Sequence, residues 1–540
     1  MNQILIKGGK VIKDGKQMDL DILIQGEKIA KIGKDLPCEG SVEIIDATGK
    51  YVLPGLIEPH MHIKAPLGGI TDILDFDSVS KCAAFGGVTT FMDFSSTLPG
   101  DSLTDAVENR LKEMENKALQ DYSVHCKVVN LATKESLANL MQCEVDYEKA
   151  KNKLDKCDPK LMSDYEEFDD VKDRLDAARK TVDDEVQARL AEIPEIIKNG
   201  IPTFKLFMTY RKANVMIDDI YLLQVLSVVR DHGGRCGFHA ECNAIAEYND
   251  MEFAKAGKTK WADFPESKPA ICEEEAVRRV LYYAELLKAP IYFFHISTKG
   301  AVQAIREAKA RNVDVIAETC SHYLTLTKEK NIGDDGILYL MSPPLRSKED
   351  QDALWEGIDD GTIDLVTSDN CTFPRWMKGK DLKQDADGNF IQDYTKVISG
   401  VSGIEERLGL MLYMVAKGRI TLEKMVEVLC HNPAHYFGCD KHKGYILEQY
   451  DADITIVDPK ASYNLTLDNL HYPKYQEDGV GENGLEYSIY QDLPSGGRVI
   501  HTIRRGEFLV KYGKYQGEDG VESASFGKRI ARVLHDKVVK

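Results

Sequence analysis

Eight short apolar runs dominate the middle of this 540-residue chain: residues 51–57, 88–94, 122–129, 202–208, 235–240, 290–296, 313–318 and 363–368. Most are followed by amphipathic, helix-forming stretches, such as 218–231, 273–288 and 299–311. Strands that alternate with helices pair in parallel, because each helix carries the chain back to the start of the next strand. Eight such units predict an α/β fold of the (β/α)8 TIM-barrel type. A doubly wound open sheet is the alternative, but no Gly-x-Gly-x-x-Gly follows a first strand.

The chain ends have a different character. Ile4-Leu5-Ile6, Ile22-Leu23-Ile24 and Val42-Glu43-Ile44-Ile45 are β-rich pieces between Gly and Asp turns. Gly444-Tyr445-Ile446 and Ala452-Asp453-Ile454-Thr455-Ile456-Val457 share that character. The simplest packing joins residues 1–52 and 440–510 in a small β-sandwich domain, with 53–439 as the barrel and 511–540 as a C-terminal tail. That tail is expected to pack on a neighbouring subunit or to stay mobile.

Residues 144–190 interrupt the rhythm. They contain no glycine and are dense in Glu, Asp and Lys. Leu161, Tyr165, Phe168, Val171, Leu175, Ala178, Val182, Val186 and Leu190 recur at steps of three and four, which predicts one long amphipathic helix. Asp158-Pro159 reads as the turn before it, with a shorter helix upstream. The segment is either a solvated helical hairpin in a barrel loop or a lid or oligomer contact.

A formal net charge of −19 argues against a nucleic-acid or anionic-membrane partner. No apolar run approaches the ~18 residues of a membrane span, and the first residues lack a signal-peptide pattern. Twelve cysteines are scattered without paired spacing, as expected of free thiols in a reducing cytoplasm.

Chemistry concentrates at the ends of the predicted strands. Pro59-His60-Met61-His62 follows the first run, and residues two apart in a strand point the same way, so His60 and His62 face one point. Two imidazoles there suit Zn, Mn or Fe. A lone His-x-His pair is a weak signal, because hydrogen-bonded core histidines share the pattern. His239, His295 and Asp369 strengthen it, since each ends a further strand on the side where barrel active sites lie. Four imidazoles and a carboxylate exceed one tetrahedral site, which points to two metals. Lys205 stands inside the apolar run Phe204-Lys205-Leu206-Phe207. It either snorkels out at the strand end or is carboxylated by CO2, giving an anion able to bridge two cations.

Taken together, these residues resemble the dihydropyrimidinase/hydantoinase branch of the cyclic amidohydrolases. The resemblance is carried by Gly55-Leu56-Ile57-Glu58-Pro59-His60-Met61-His62, Phe204-Lys205-Leu206-Phe207-Met208-Thr209-Tyr210, Glu318-Thr319-Cys320-Ser321-His322-Tyr323, Ser342-Pro343-Pro344-Leu345-Arg346 and Ser368-Asp369-Asn370. It runs from about residue 3 to 510, interrupted at 144–190. It implies that His60, His62 and Asp369 bind one divalent metal, that His239 and His295 bind another, and that N-carboxylated Lys205 bridges them. Zn is the first expectation, with Mn, Fe or Co compatible. A hydroxide between the metals would attack the ring carbonyl. Asp369 would pass its proton to the leaving nitrogen, Tyr210 would donate to the oxyanion, and Ser342 would hold the ureide. The resemblance further implies a cytoplasmic homotetramer or dimer acting on a small cyclic ureide or imide.

Two positions depart from the pattern. Ser399 stands where the family has an asparagine that also holds the ureide, and Gly400-x-x-Gly403-x-Glu405 is similar to allantoinases. Lys64 is unexpected in the loop near the ring substituent and reads as a solvated lysine. An allantoinase-like hydrolase is therefore the second reading. A non-catalytic scaffold relative is the third, and the filled metal positions argue against it.

Overall fold

The computed structural model describes residues 3–13, 16–37, 40–67, 70–155, 162–474, 484–516 and 525–535. Eight parallel strands form the central sheet: β1 (Leu56–Glu58), β2 (Val88–Phe94), β3 (Asp121–Lys127), β4 (Thr203–Phe207), β5 (Arg235–His239), β6 (Ile291–Phe293), β7 (Val315–Cys320) and β8 (Leu365–Thr367). Each pairs with its neighbour in chain order. β2 and β7 are buried along their whole length, as parallel strands covered by helices are.

The sheet curls into a nearly closed barrel, and backbone contacts beyond the strand ends together with one arginine side chain complete the seam between β8 and β1. Met61 bridges Asn370 just beyond the strand ends, with His62 N–H donating to the Asn370 carbonyl at 2.8 Å. The buried Arg407 guanidinium donates to the Val366 carbonyl at 2.9 Å and the Ile57 carbonyl at 3.1 Å. Buried carbonyls need donors, and Arg407 supplies them to both edge strands at once.

The apolar run 51–57 is divided between two domains. Tyr51–Pro54 pairs with Ile454–Asp458 in the terminal sheet, and the barrel begins only at Leu56. Gly55 marks the crossing, where a Cβ would lie 2.2 Å from Thr89 Oγ1. The terminal domain is one hydrogen-bonded sheet of nine strands from both chain ends. Its core includes Ile4, Ile6, Ile22, Ile24, Ile454 and Ile456. Its last strands, Glu507–Lys511 and Lys514–Tyr515, carry it beyond residue 510. Gly444–Tyr445–Ile446, expected as strand, forms no strand. Gly444 has φ +80°, a Cβ there would meet Ala434 at 2.4 Å, and only the Ile446 side chain joins the core.

A buried ion cluster ties the two domains together. Lys443 Nζ lies 2.7 Å from Asp121 at the start of β3, 2.7 Å from Asp453 and 3.1 Å from Asp451. Burial opposes its charge, but the three carboxylates outweigh that and raise its pKa.

The long-helix expectation is met by α1 (Lys134–Leu154) and α2 (Met162–Leu190), which pack against each other between β3 and β4. The expected turn at Asp158-Pro159, and Leu161 with it, lie outside the described residues. Val171, Leu175 and Ala178 are buried, whereas Tyr165 is 44 % exposed. Val182, Val186 and Leu190 belong to the main barrel core. The C-terminal half of α2 is thus part of the barrel's helical layer, and only the outer part of the hairpin projects from it. The tail was expected on a neighbouring subunit or mobile, but its described part, 525–535, lies on the chain's own barrel: Tyr122 N–H donates to the Lys528 carbonyl and Ile530 N–H to the Tyr122 carbonyl. No helix among the described residues is long and apolar enough to cross a membrane.

Candidate active site at the C-terminal ends of the barrel strands

His60 and His62 converge on one carboxylate oxygen. His60 Nε2 lies 3.0 Å from Asp369 Oδ1, and His62 Nε2 lies 3.3 Å from the same atom. β1 delivers the histidines and β8 the aspartate, so the barrel seam builds this half of the site. The three residues offer ligand atoms within 4.8 Å of one another.

The other histidines lie beside them. His239 is the last residue of β5, and His295 follows β6 by two residues. Their ring centroids are 4.4 Å apart, and His295 is 5.4 Å from His60. His295, Asp369 and Tyr210 all have positive φ, at +38°, +46° and +68°. Left-handed backbone at non-glycine residues costs about 1–3 kcal/mol each and clusters at functional sites.

Lys205 sits in β4 and is 2 % exposed. Its Nζ is 3.4 Å from the Phe294 ring centroid, with Phe207 and Phe94 at 5.1 and 5.4 Å. The missing side chain of Gly237, opposite Lys205 on β5, makes room for Phe294, since a Cβ there would lie 2.3 Å from the ring. Burial pushes the ammonium down to about 7, despite the pull of Asp369 and Glu318. A sizeable share of the side chain is then neutral amine near pH 7, the form that reacts with CO2.

Charge at the other groups suits cation binding. Burial lowers the pKa of His62, His239 and His295, leaving lone pairs free to ligate. Burial also opposes charging of His60, but Asp369 and Glu318 outweigh it and push this imidazole up to about 9. Asp369 itself is held well below the usual carboxylate range: burial is outweighed by His60 and His62. The carboxylates here demand a positive charge, and a divalent ion supplies it as well as a proton does. The donor set of imidazoles, carboxylate and modifiable lysine therefore fits a transition-metal centre.

Two glutamates escaped the sequence reading. Glu318 accepts from His60 Nδ1, from the Tyr292 hydroxyl and from His295 N–H. Glu241 Oε2 lies 2.7 Å from His239 Nε2. Metal-binding histidines commonly give their second N–H to a carboxylate, which fixes the tautomer. Here that leaves His60 Nε2 and His239 Nδ1 as the ring nitrogens free to ligate. The available signals were a glutamate inside the apolar run 313–318 and another two residues after His239.

Tyr210 stands 5.1 Å from His239, ring to ring, and its hydroxyl is hydrogen-bonded to the Ser342 side chain. Burial raises its pKa, so the phenol keeps its proton. Lys268 Nζ donates to Ser342 Oγ at 3.3 Å and was not anticipated. Ser399 comes near through the backbone: Gly400 N–H donates to the Leu340 carbonyl, setting segment 399–401 beside 340–342. Lys64 is exposed, in keeping with a solvated loop lysine.

Comparison with known proteins agrees with this geometry. The amidohydrolase family pattern matches residues 51–509. A D-phenylhydantoinase of Escherichia coli is 29 % identical over 521 residues, covering 96 % of each chain. A solved D-hydantoinase from a Bacillus species superposes with a TM-score of 0.80 at 29 % identity, covering 99 % of this chain and 100 % of that one. A solved dihydropyrimidinase from Brevibacillus agri gives 0.81 at 28 % identity with the same coverage. The chain belongs to the amidohydrolase family, and within it to the hydantoinase and dihydropyrimidinase branch of cyclic amidohydrolases.

Proposed function

We propose that the protein is a dinuclear metal-dependent hydrolase that opens the cyclic amide bond of a hydantoin or dihydropyrimidine ring. The observation that carries this reading is the convergence of His60 and His62 on one oxygen of Asp369, beside two neutral histidines and a lysine with a depressed pKa. His60, His62 and Asp369 would hold one ion, His239 and His295 a second, with carboxylated Lys205 between them. Zinc is the first expectation, and Mn, Fe or Co suit the same ligands. Bound ions would supply Lewis acidity at the scissile carbonyl and lower the pKa of a bound water toward neutrality.

The remaining steps fall to side chains of the chain. Asp369 is unprotonated at neutral pH, so it can accept the proton of the attacking water. It then returns that proton to the ring nitrogen as the C–N bond breaks. Tyr210 keeps its phenolic proton and donates it as a hydrogen bond to the oxygen that gains charge. Ser342, oriented by Lys268 and Tyr210, and Ser399 hold the ureide face of the ring. The relatives' names, D-phenylhydantoinase, D-hydantoinase and dihydropyrimidinase, support a ring of this class. We expect a homotetramer or dimer.

Replacing His60 and His62 together by Ala tests the reading. Ring-opening turnover should disappear and the ion held by His60, His62 and Asp369 should be lost, with the circular-dichroism spectrum retained. Full activity in that variant would overturn the proposal.

A further inference from the structure

A second cluster of metal-ligating side chains lies at the opposite end of the barrel. Residues 525–535 run across the N-terminal ends of the strands. Gly527, Ile530 and Arg532 donate backbone N–H bonds to the carbonyls of Ala118, Tyr122 and Gly200 at 2.8, 2.8 and 3.0 Å. Val533 N–H donates to the Gly438 carbonyl at 3.2 Å. Glycines make room for this path: a Cβ at Gly438 would lie 2.3 Å from the Val533 carbonyl oxygen, and one at Gly200 would lie 2.6 Å from Ala531. The buried Arg532 guanidinium donates to Ser123 and Thr203, each at 2.8 Å. Shape and hydrogen bonds thus fix the path of this segment up to His535.

Along this path His535 lies against Asp440. His535 Nε2 lies 2.6 Å from Asp440 Oδ1, and His435 Nδ1 lies 2.9 Å from Asp440 Oδ2. The two imidazoles are 5.4 Å apart and within 11° of parallel. All three ligand atoms lie within 4.8 Å of one another, and all three side chains are partly exposed, so an ion can reach them. None of these residues takes part in the site at the other end of the barrel.

We propose that His435, Asp440 and His535 bind one divalent transition-metal ion, zinc by ligand preference, which fastens the C-terminal segment to the barrel. Two imidazole nitrogens and a carboxylate oxygen select zinc, nickel or copper over magnesium or calcium. Tetrahedral zinc with bonds of about 2.0–2.2 Å sets its donor atoms roughly 3.3–3.6 Å apart, about 0.4–1 Å wider than the 2.6 and 2.9 Å contacts to Asp440. Partly exposed side chains can open by that much, and water would complete the coordination. Although burial raises its pKa, hydrogen bonds from His535 and His435 outweigh that and keep the Asp440 carboxylate ionised. The ion would join positions about a hundred residues apart in sequence, so its binding energy would stabilise the closed chain.

The rival reading is a hydrogen-bonded clasp in which Asp440 accepts one N–H from each imidazole. Glutamine separates the two, because it keeps an N–H donor but ligates zinc poorly. Full-length protein loaded with zinc and freed of loose ions should carry one more zinc per chain than His435→Gln/His535→Gln, with ring-opening activity unchanged. Zinc added beyond the catalytic equivalents should raise the melting temperature of the wild type and leave that of the double variant unmoved. If the double variant does not fold, His535→Gln alone should show the same one-ion difference. Equal zinc counts in wild type and variant would overturn the proposal. The count is a difference between two proteins, so it decides this site whatever number of ions the catalytic centre holds.

Discussion

The carboxylate of Glu241 holds Nε2 of His239 at 2.7 Å, so the imidazole can offer only Nδ1 to a metal. Removing such a partner typically costs ~10–100-fold in metal affinity. Glu241→Ala should therefore bind its metals about 10–100-fold more weakly, as read by competition with a chelator, with the fold retained. Unchanged affinity would mean that Glu241 does not orient His239.

The depressed pKa of Lys205 has a chemical consequence. Protein stripped of metal and of CO2 should regain activity on reloading only when bicarbonate accompanies the metal. Intact-mass or infrared measurement should then detect one added CO2 per chain. Lys205→Arg keeps the positive charge but cannot be carboxylated, since guanidinium does not lose its proton at these pH values. It should fail to recover activity at any bicarbonate concentration. Recovery in the arginine variant would remove the carboxylated bridge from the mechanism.

Stability rests in part on the contact between the two domains. Lys443 is 4 % exposed in its side chain and pairs with Asp121, Asp451 and Asp453. Breaking a buried ion cluster by removing one partner costs about 3–5 kcal/mol; here Asp453 would stay buried without its ion-pair partner, while Arg505 still pairs with Asp121 and Lys28 with Asp451. Lys443→Met should lose that amount in denaturant unfolding. A loss below ~1 kcal/mol, the usual value of an exposed pair, would mean that the cluster is solvated.

The barrel and the metal-ligand candidates were legible in the sequence for physical reasons. Strands buried on both faces read as unbroken apolar runs, so a polar residue at the end of one stands out, as His239 and Asp369 do. The period of two brought His60 and His62 to one side. Features set by distant pairing were not legible. The division of run 51–57 depends on how Gly55 packs against Thr89, and the seat of the tail depends on Gly438 and Gly200. Glu241 and Glu318 looked like ordinary charged residues, because only the folded chain shows which imidazole nitrogen each one holds. The amphipathic period found α2 but could not show that Val182, Val186 and Leu190 face the barrel while Tyr165 faces water.

The most direct test is ring opening by protein prepared with zinc or manganese and bicarbonate. The panel would hold hydantoin, phenylhydantoin, dihydrouracil, allantoin and dihydroorotate, with Asp369→Asn as control. The account predicts turnover of a hydantoin or dihydropyrimidine ring and its loss by ~10²–10⁴-fold or more in the asparagine variant, the scale of a missing general acid–base group. No turnover of any ring by metal-loaded wild type, or equal turnover by the Asp369→Asn protein, would contradict it.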